Sequence, residues 1–249
     1  MMIEYPTASH IPALKNLWAV CFDDPAMFID GFFEKGFSPR RCRCILDGER
    51  VIAALYWFDG ELGGQKMAYL YGVSTDPQYR GRGLCRRLME DAHQRLKEQG
   101  YAAGLLMPGE PGLRKMYGKF GYRDCCGIGE FSCSAGNPVP LREIGWEEYA
   151  ALRPGLLPEN GAVQKGLDFL STYAKFYRGE DFLLAAAREG DTLLGLELLG
   201  NPDPAPGILG ALHCEKGSFR TPGNTRATVM VLPLKDGAAL PGYVGLTFD

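Results

Sequence analysis

Histidine is scarce in this sequence. Only His10, His93 and His213 occur, far apart, and the eight cysteines include no Cys-x-x-Cys pair. A structural zinc site needs four clustered nitrogen or sulfur ligands, so no metal is expected. A basic excess is missing too: 27 Lys and Arg stand against 30 Asp and Glu, a net charge of -3 with pI near 5.7. That argues against a nucleic-acid partner and is compatible with a cationic amine. No uncharged apolar run approaches the roughly twenty residues that span a bilayer, so no membrane role is expected. Met1-Met2-Ile3-Glu4-Tyr5-Pro6 lacks the basic start and apolar run of a secretion signal. A cytoplasmic location with reduced cysteines is the expectation. At 46% hydrophobic and 23% charged residues, the 249-residue chain has an ordinary globular composition.

What is present is concentrated at Gln78-Tyr79-Arg80-Gly81-Arg82-Gly83-Leu84. A strand-like segment, Met67 to Thr75, precedes it. A helical pattern, Leu84 to Gln99, follows, with Leu84, Leu88, Ala92 and Leu96 on one face. A glycine-rich turn from strand into helix gathers unpaired backbone N–H groups at a helix N-terminus, which favours an anion, commonly a phosphate. Gly81 and Gly83 allow close approach of the backbone, and Arg80 and Arg82 add positive charge. The spacing is not that of a P-loop, which needs Gly-Lys-Ser/Thr. Nor is it a dinucleotide fingerprint, since position 86 is Arg.

The pattern Gln-x-x-Gly-x-Gly resembles the acetyl-CoA signature of the GNAT family of N-acyltransferases. About thirty residues on, Leu113-Arg114-Lys115-Met116-Tyr117-Gly118-Lys119-Phe120-Gly121-Tyr122 resembles that family's segment in which a helix ends in Tyr, followed by Gly and an aromatic residue. The resemblance covers roughly residues 1 to 130. It implies acetyl-CoA as co-substrate, with Gln78, Arg80, Gly81, Arg82, Gly83 and Leu84 on the pyrophosphate. Val73, Ser74 and Thr75 would border the pantetheine arm, and the backbone N–H near Val73 would polarise the thioester carbonyl. Tyr117 would be the general acid. The acceptor would be a small-molecule or protein amine, and a monomer and a homo-oligomer are equally compatible.

The element order agrees with a mixed α/β sheet of the GNAT type. Ile3 to Tyr5 reads as a strand. Ile11 to Phe22, N-capped by Ser9, and Asp24 to about Phe33 read as helices. A hairpin turns at Asp47-Gly48, between Arg41 to Leu46 and Arg50 to Phe58. The fourth strand enters the glycine turn. Tyr101 to Met107 is a fifth strand, Pro111 to Phe120 a helix, and Arg123 to Ser134 a further strand. The division expected is a catalytic domain over 1–135, a linker at 136–140 and a degenerate GNAT-like lobe over 141–249. In that lobe Trp146 to Leu152 matches the first helix, and Phe182 to Leu199 the hairpin. Ile208 to His213 takes the place of the fourth strand, and Phe219 to Asn224 that of the glycine turn, with no room for a helix after it. Such a two-lobed chain resembles the core of Eis-type acetyltransferases.

The general base is not fixed by the residues. Glu61, Glu110, Glu130 and the carboxylate of Asp249 are all candidates. Cys85 sits in the first turn of a helix, where a thiolate is favoured, but its place on the apolar face reads as packing. The alternative to an enzyme is a non-catalytic acyl-CoA-binding or sensor protein of the same fold.

Overall fold

A computed structural model describes residues 1–247. Strand β1 (Met2–Glu4) leads to helices α1 (Ile11–Cys21) and α2 (Ala26–Gly31), the second widening into a π-type turn over Phe32–Gly36. His10, not Ser9, is the residue before α1. Strands β2 (Cys42–Asp47) and β3 (Arg50–Leu62) form the hairpin at Asp47-Gly48, with Gly48 at φ 62°. Then follow β4 (Gln65–Thr75), α3 (Leu84–Glu98), β5 (Ala103–Leu106), α4 (Pro111–Gly118) and β6 (Arg123–Ser134). The remaining elements are β7 (Arg142–Ile144), α5 (Trp146–Leu152), β8 (Val163–Gln164), β9 (Lys175–Arg178), β10 (Phe182–Glu189), β11 (Thr192–Gly200), α6 (Ala205–Ala211), β12 (Lys216–Gly223) and β13 (Arg226–Pro233).

Contacts divide the chain into two compact units. Unit 1 comprises Met1–Arg123, Gln164–Thr172 and Met230–Ala239; unit 2 comprises Asp124–Val163, Tyr173–Val229 and the residues from Leu240 onward. The units therefore do not follow a single cut at 136–140. Nor is that stretch loose. The Gly136 amide donates to Pro206 at 2.8 Å and the Val139 amide to Gly207 at 3.2 Å, both within unit 2.

Unit 1 is a mixed sheet in the order β1-β2-β3-β4-β5, closed by Met230–Pro233 of β13 lying antiparallel to β5. Strand β4 pairs antiparallel with β3 and parallel with β5. Residues Val51 to Phe58 are buried without a break, as a strand covered on both faces must be. On one face lie Leu84, Leu88, Met89, Ala92 and Leu96 of α3, against Leu55 and Trp57. Burial contributes roughly 2 kcal/mol for each of the larger side chains. On the other face Trp18 is a hub, with ring centroids of Phe32 and Tyr56 at 4.7 and 5.3 Å.

Unit 2 repeats the strand plan, though no helix follows β12 as α4 follows β5. Its order β7-β9-β10-β11-β12 has antiparallel pairs throughout except for the parallel pair β11–β12, and β6 lies antiparallel beyond β12. Even the irregularity in the β3–β4 ladder has a counterpart between Ala185 and Ala186.

One expectation for this half is overturned. Ile208 to His213 is not a strand; most of it lies in α6, which packs Ala205, Ile208 and Leu209 into the core. Those residues and Leu212 recur at helical spacing, a signal hidden by Gly207 and Gly210. The glycines are there for contact: a Cβ on Gly210 would lie 2.2 Å from the Gly136 carbonyl oxygen. A helix therefore does stand between β11 and β12. The counterpart of the glycine turn is Asn201–Pro204, and Phe219 to Gly223 belong to β12.

Candidate active site

The glycine turn is built outward from Asp76. This carboxylate is 6% exposed, accepts the Gln78 amide at 2.9 Å and pairs with Arg50 at 2.6 Å. Pro77–Tyr79 then forms a short 3-10 turn. Arg80 Nε donates to the Thr75 carbonyl at 3.2 Å, and Arg82 Nη2 to the Gln78 carbonyl at 3.1 Å, with its guanidinium over the Tyr79 ring. Sequence reasoning missed Asp76 and Arg50. The signal was there, since Asp-Pro commonly opens a turn.

Gly81 and Gly83 have φ of 78° and 72°, and Gly83 is the residue before α3. No atom lies within 4 Å of where a Cβ would stand on either, so conformation, not crowding, calls for glycine. The first intrahelical bond runs from the Arg87 amide to Gly83. The amides of Leu84, Cys85 and Arg86 thus have no acceptor in the helix, no side chain caps them, and the first turn carries no acidic residue. Open space, unbonded amides and nearby arginines together suit a phosphate.

At the end of β4 the backbone is left over. Tyr56 pairs with Tyr71 and Ala54 with Ser74, so β4 has one residue more than β3 across this interval. Gly72 and Val73 have no partner in that register, and pairing with β5 stops at Leu70 and Leu106. Gly72 takes φ 58°, and a Cβ on it would stand 2.9 Å from the Tyr56 ring. The strands thus part just where Val73, Ser74 and Thr75 lie. The side chain of Ser74 is buried and donates to the Ala54 carbonyl at 3.3 Å.

Tyr117 ends α4, 6% exposed, in the same core cluster as Leu84. Burial, and then the neighbouring Cys85, push its phenol above the usual range. Cys85 itself is raised by burial, partly offset by Arg86, so it is held as a thiol. The structure thus brings Tyr117 to the first turn of α3.

The carboxylates are dispersed. Glu61 pairs with Lys165 at 2.9 Å and stands opposite Lys66, at the start of β4. Seven residues of strand separate Lys66 from Val73, roughly 23 Å. Glu130 belongs to unit 2, held by Arg226 at 2.8 Å and Arg220 at 3.5 Å. Glu110 immediately precedes α4 and is exposed. Asp249 lies outside the described residues. In unit 2, Asn201–Pro204 has two prolines, and the Asp203 amide is taken by the Asn201 side chain at 3.0 Å, so it offers no comparable cradle. Among the described residues, no three or more His, Cys, Asp or Glu are grouped to hold a metal ion, and no helix is long and apolar enough to cross a membrane.

Residues 2–125 match the family model described as acetyltransferase (GNAT) domain. No curated protein matches the chain. Among solved structures, a GCN5-related N-acetyltransferase from Kribbella flavida superposes with a TM-score of 0.72 at 18% identity, over 95% of this chain and 73% of that one. One from Anabaena variabilis gives 0.73 at 16%, over 94% and 73%. Eis1 from Mycobacterium abscessus gives 0.69 at 13%, over 94% and 74%. At such identities the likeness is one of fold. The family match in the first half carries the assignment beyond fold: residues 2–125 belong to the GNAT family of acetyltransferases.

Proposed function

We propose that unit 1 moves the acetyl group of acetyl-CoA directly to a primary amine within a ternary complex. The observation that carries this reading is the unpaired Gly72–Val73 backbone, where β4 and β5 part, close in sequence to an open glycine turn. An extended pantetheine arm would pair with Val73–Thr75 as an added strand. The amides from Arg80 to Leu84 would hold the pyrophosphate, with Gln78 beside them.

Acyl transfer needs a polarised carbonyl and a proton for the leaving thiolate. The Val73 amide supplies the first and the Tyr117 hydroxyl the second. The amine nitrogen attacks the thioester carbon, the C–S bond breaks, and the thiolate sulfur takes the Tyr117 proton. The proton released by the new amide's nitrogen restores the phenol through solvent or a base. Glu110 is the carboxylate at the β5–α4 junction of unit 1. The acceptor side would draw on Phe22 to Ser38, whose Phe33 and Phe37 rings pack on one another and on Tyr56.

Unit 2 is read as a degenerate copy that binds no CoA, so each chain holds one. Calorimetric titration with acetyl-CoA, followed by thiol release across an amine panel, tests the proposal. Saturation at one CoA with turnover on an amine supports it. Saturation without turnover on any amine selects the sensor reading, and absence of binding removes both.

A further inference from the structure

Cys125 and Cys126 are adjacent at the start of β6, Cys125 half-buried and Cys126 8% exposed. Both carry thiols, and the two hydrogen-bond to one another. Cys125 Sγ also donates to the Pro241 carbonyl at 3.1 Å. Both cysteines line a cleft of about 340 Å³ in unit 2, with Pro158, Pro222, Asn224 and Tyr243 around them. Gly127, Gly223 and Gly242 complete the lining.

No other cysteines in the chain are adjacent. Cys42 and Cys44 lie fully buried in β2, and the remaining four are isolated in sequence. The ladder between β6 and β12 stops at Gly127, so on that edge Cys125 and Cys126 lie beyond it, while on the other edge β6 neighbours β13 and the Thr228 hydroxyl donates to the Cys126 carbonyl at 3.4 Å.

We propose that Cys125 and Cys126 form a dithiol modification site that a peroxide closes to a vicinal disulfide. The Cys125 sulfur attacks the peroxide oxygen, the O–O bond breaks, and a sulfenic acid and one water result. The Cys126 sulfur then displaces the sulfenic oxygen, which leaves as a second water. Two electrons pass from the sulfurs to the peroxide, and both thiol protons end in water. Cys125 goes first because its own thiol, together with burial, pushes Cys126 up and keeps that proton bound. Adjacent Cα atoms stand about 3.8 Å apart, closer than disulfides prefer, so the bond is strained and readily reduced. Closure also removes the donor from Pro241 and loosens the segment that follows it.

The full-length protein is exposed to graded hydrogen peroxide, alkylated after unfolding, and mapped by mass. The expected result is a peptide containing Cys125 and Cys126 lighter by two hydrogens, restored by dithiothreitol, while Cys42 and Cys44 are recovered alkylated. Phenylarsine oxide, which bridges two thiols, should block the oxidation and bind at least tenfold more weakly to Cys125→Ser. Serine keeps a donor for Pro241, and Cys126→Ser is the second variant should the first unfold. Recovery of both thiols alkylated after other cysteines have oxidised overturns the proposal. So does undiminished arsenical uptake by the folded variants, or a sulfinic acid in place of the disulfide.

Discussion

The Nε2 atom of His93 lies 2.9 Å from the Tyr122 hydroxyl, and Tyr122 in turn packs edge-on against Tyr117 at a ring separation of 5.9 Å. Gly104 makes room for this pair: a Cβ there would stand 3.0 Å from the Tyr122 oxygen. Burial, and then Lys97, lower His93 from 6.5 to about 4. A depressed folded-state value means that the unfolded chain binds the proton first as pH falls. The stability held by neutral His93 is complete above pH 6.5 and is lost between 6.5 and about 4, on the order of 3 kcal/mol. His93→Gln, which keeps a partner for Tyr122, should flatten that part of the profile. Urea titrations at several pH values would show it, and an unchanged slope in the variant would assign the loss to other groups.

Tyr117→Phe should leave the fold and acyl-CoA binding nearly intact. No hydrogen bond of its hydroxyl to a described residue is lost, and the ring stays in the cluster around Leu84. The single-turnover rate should fall on the order of 100-fold. Because burial raises the phenol, no loss of activity between pH 6 and 10 should trace to its ionisation. A rate within twofold of the parent protein would make Tyr117 a packing residue only.

Gly83→Val places a β-branched residue at φ 72°. The protein leaves space for the side chain, so the cost is backbone strain of about 1–2 kcal/mol plus obstruction of the anion. Acetyl-CoA affinity should weaken tenfold or more, about 1.4 kcal/mol, by calorimetry. Unaltered affinity in the folded variant would move the phosphate site elsewhere.

Glu197 in unit 2 is fully buried and accepts from Tyr149 at 2.7 Å, Arg153 at 2.6 and 2.9 Å, and Tyr243 at 3.0 Å. Removing one partner strands a buried charge, so Glu197→Ala should cost about 3–5 kcal/mol. Replacing both Glu197 and Arg153 by Met should cost less than Glu197→Ala, because no charge is then left unpaired. Denaturation of the two variants measures this, and a double variant as costly as Glu197→Ala would contradict it.

Local chemistry explains what the sequence disclosed. The turn at Arg80–Leu84 is legible because glycine spacing and helix entry are encoded within a few residues. The α4 segment is legible because Tyr117 and Gly121 fix its end, Gly121 at φ 91°. The extra residue at Gly72–Val73 was not, since a bulge depends on register against β3, a neighbour in space. The helix α6 was misread because its glycines serve packing on Gly136 and Val139 and break the apolar pattern. The carboxylates could be listed but not placed, because Glu61 differs from Glu110 only in which end of the sheet it reaches.

The partner of β5 has a consequence for how the protein is made. Leu106 pairs with Met230, more than a hundred residues later, and the Leu234 amide donates to Ala102 at 2.8 Å. During synthesis the site-bearing sheet must wait for nearly the whole chain to leave the ribosome before its last edge is covered. Until then β5 presents an unpaired, apolar edge, the kind of surface that recruits other strands. A product truncated at 136–140 would keep every residue proposed for catalysis and still expose that edge permanently, so it should be recovered mainly as aggregate. The distant second half thus acts on the first as a built-in chaperone for one strand.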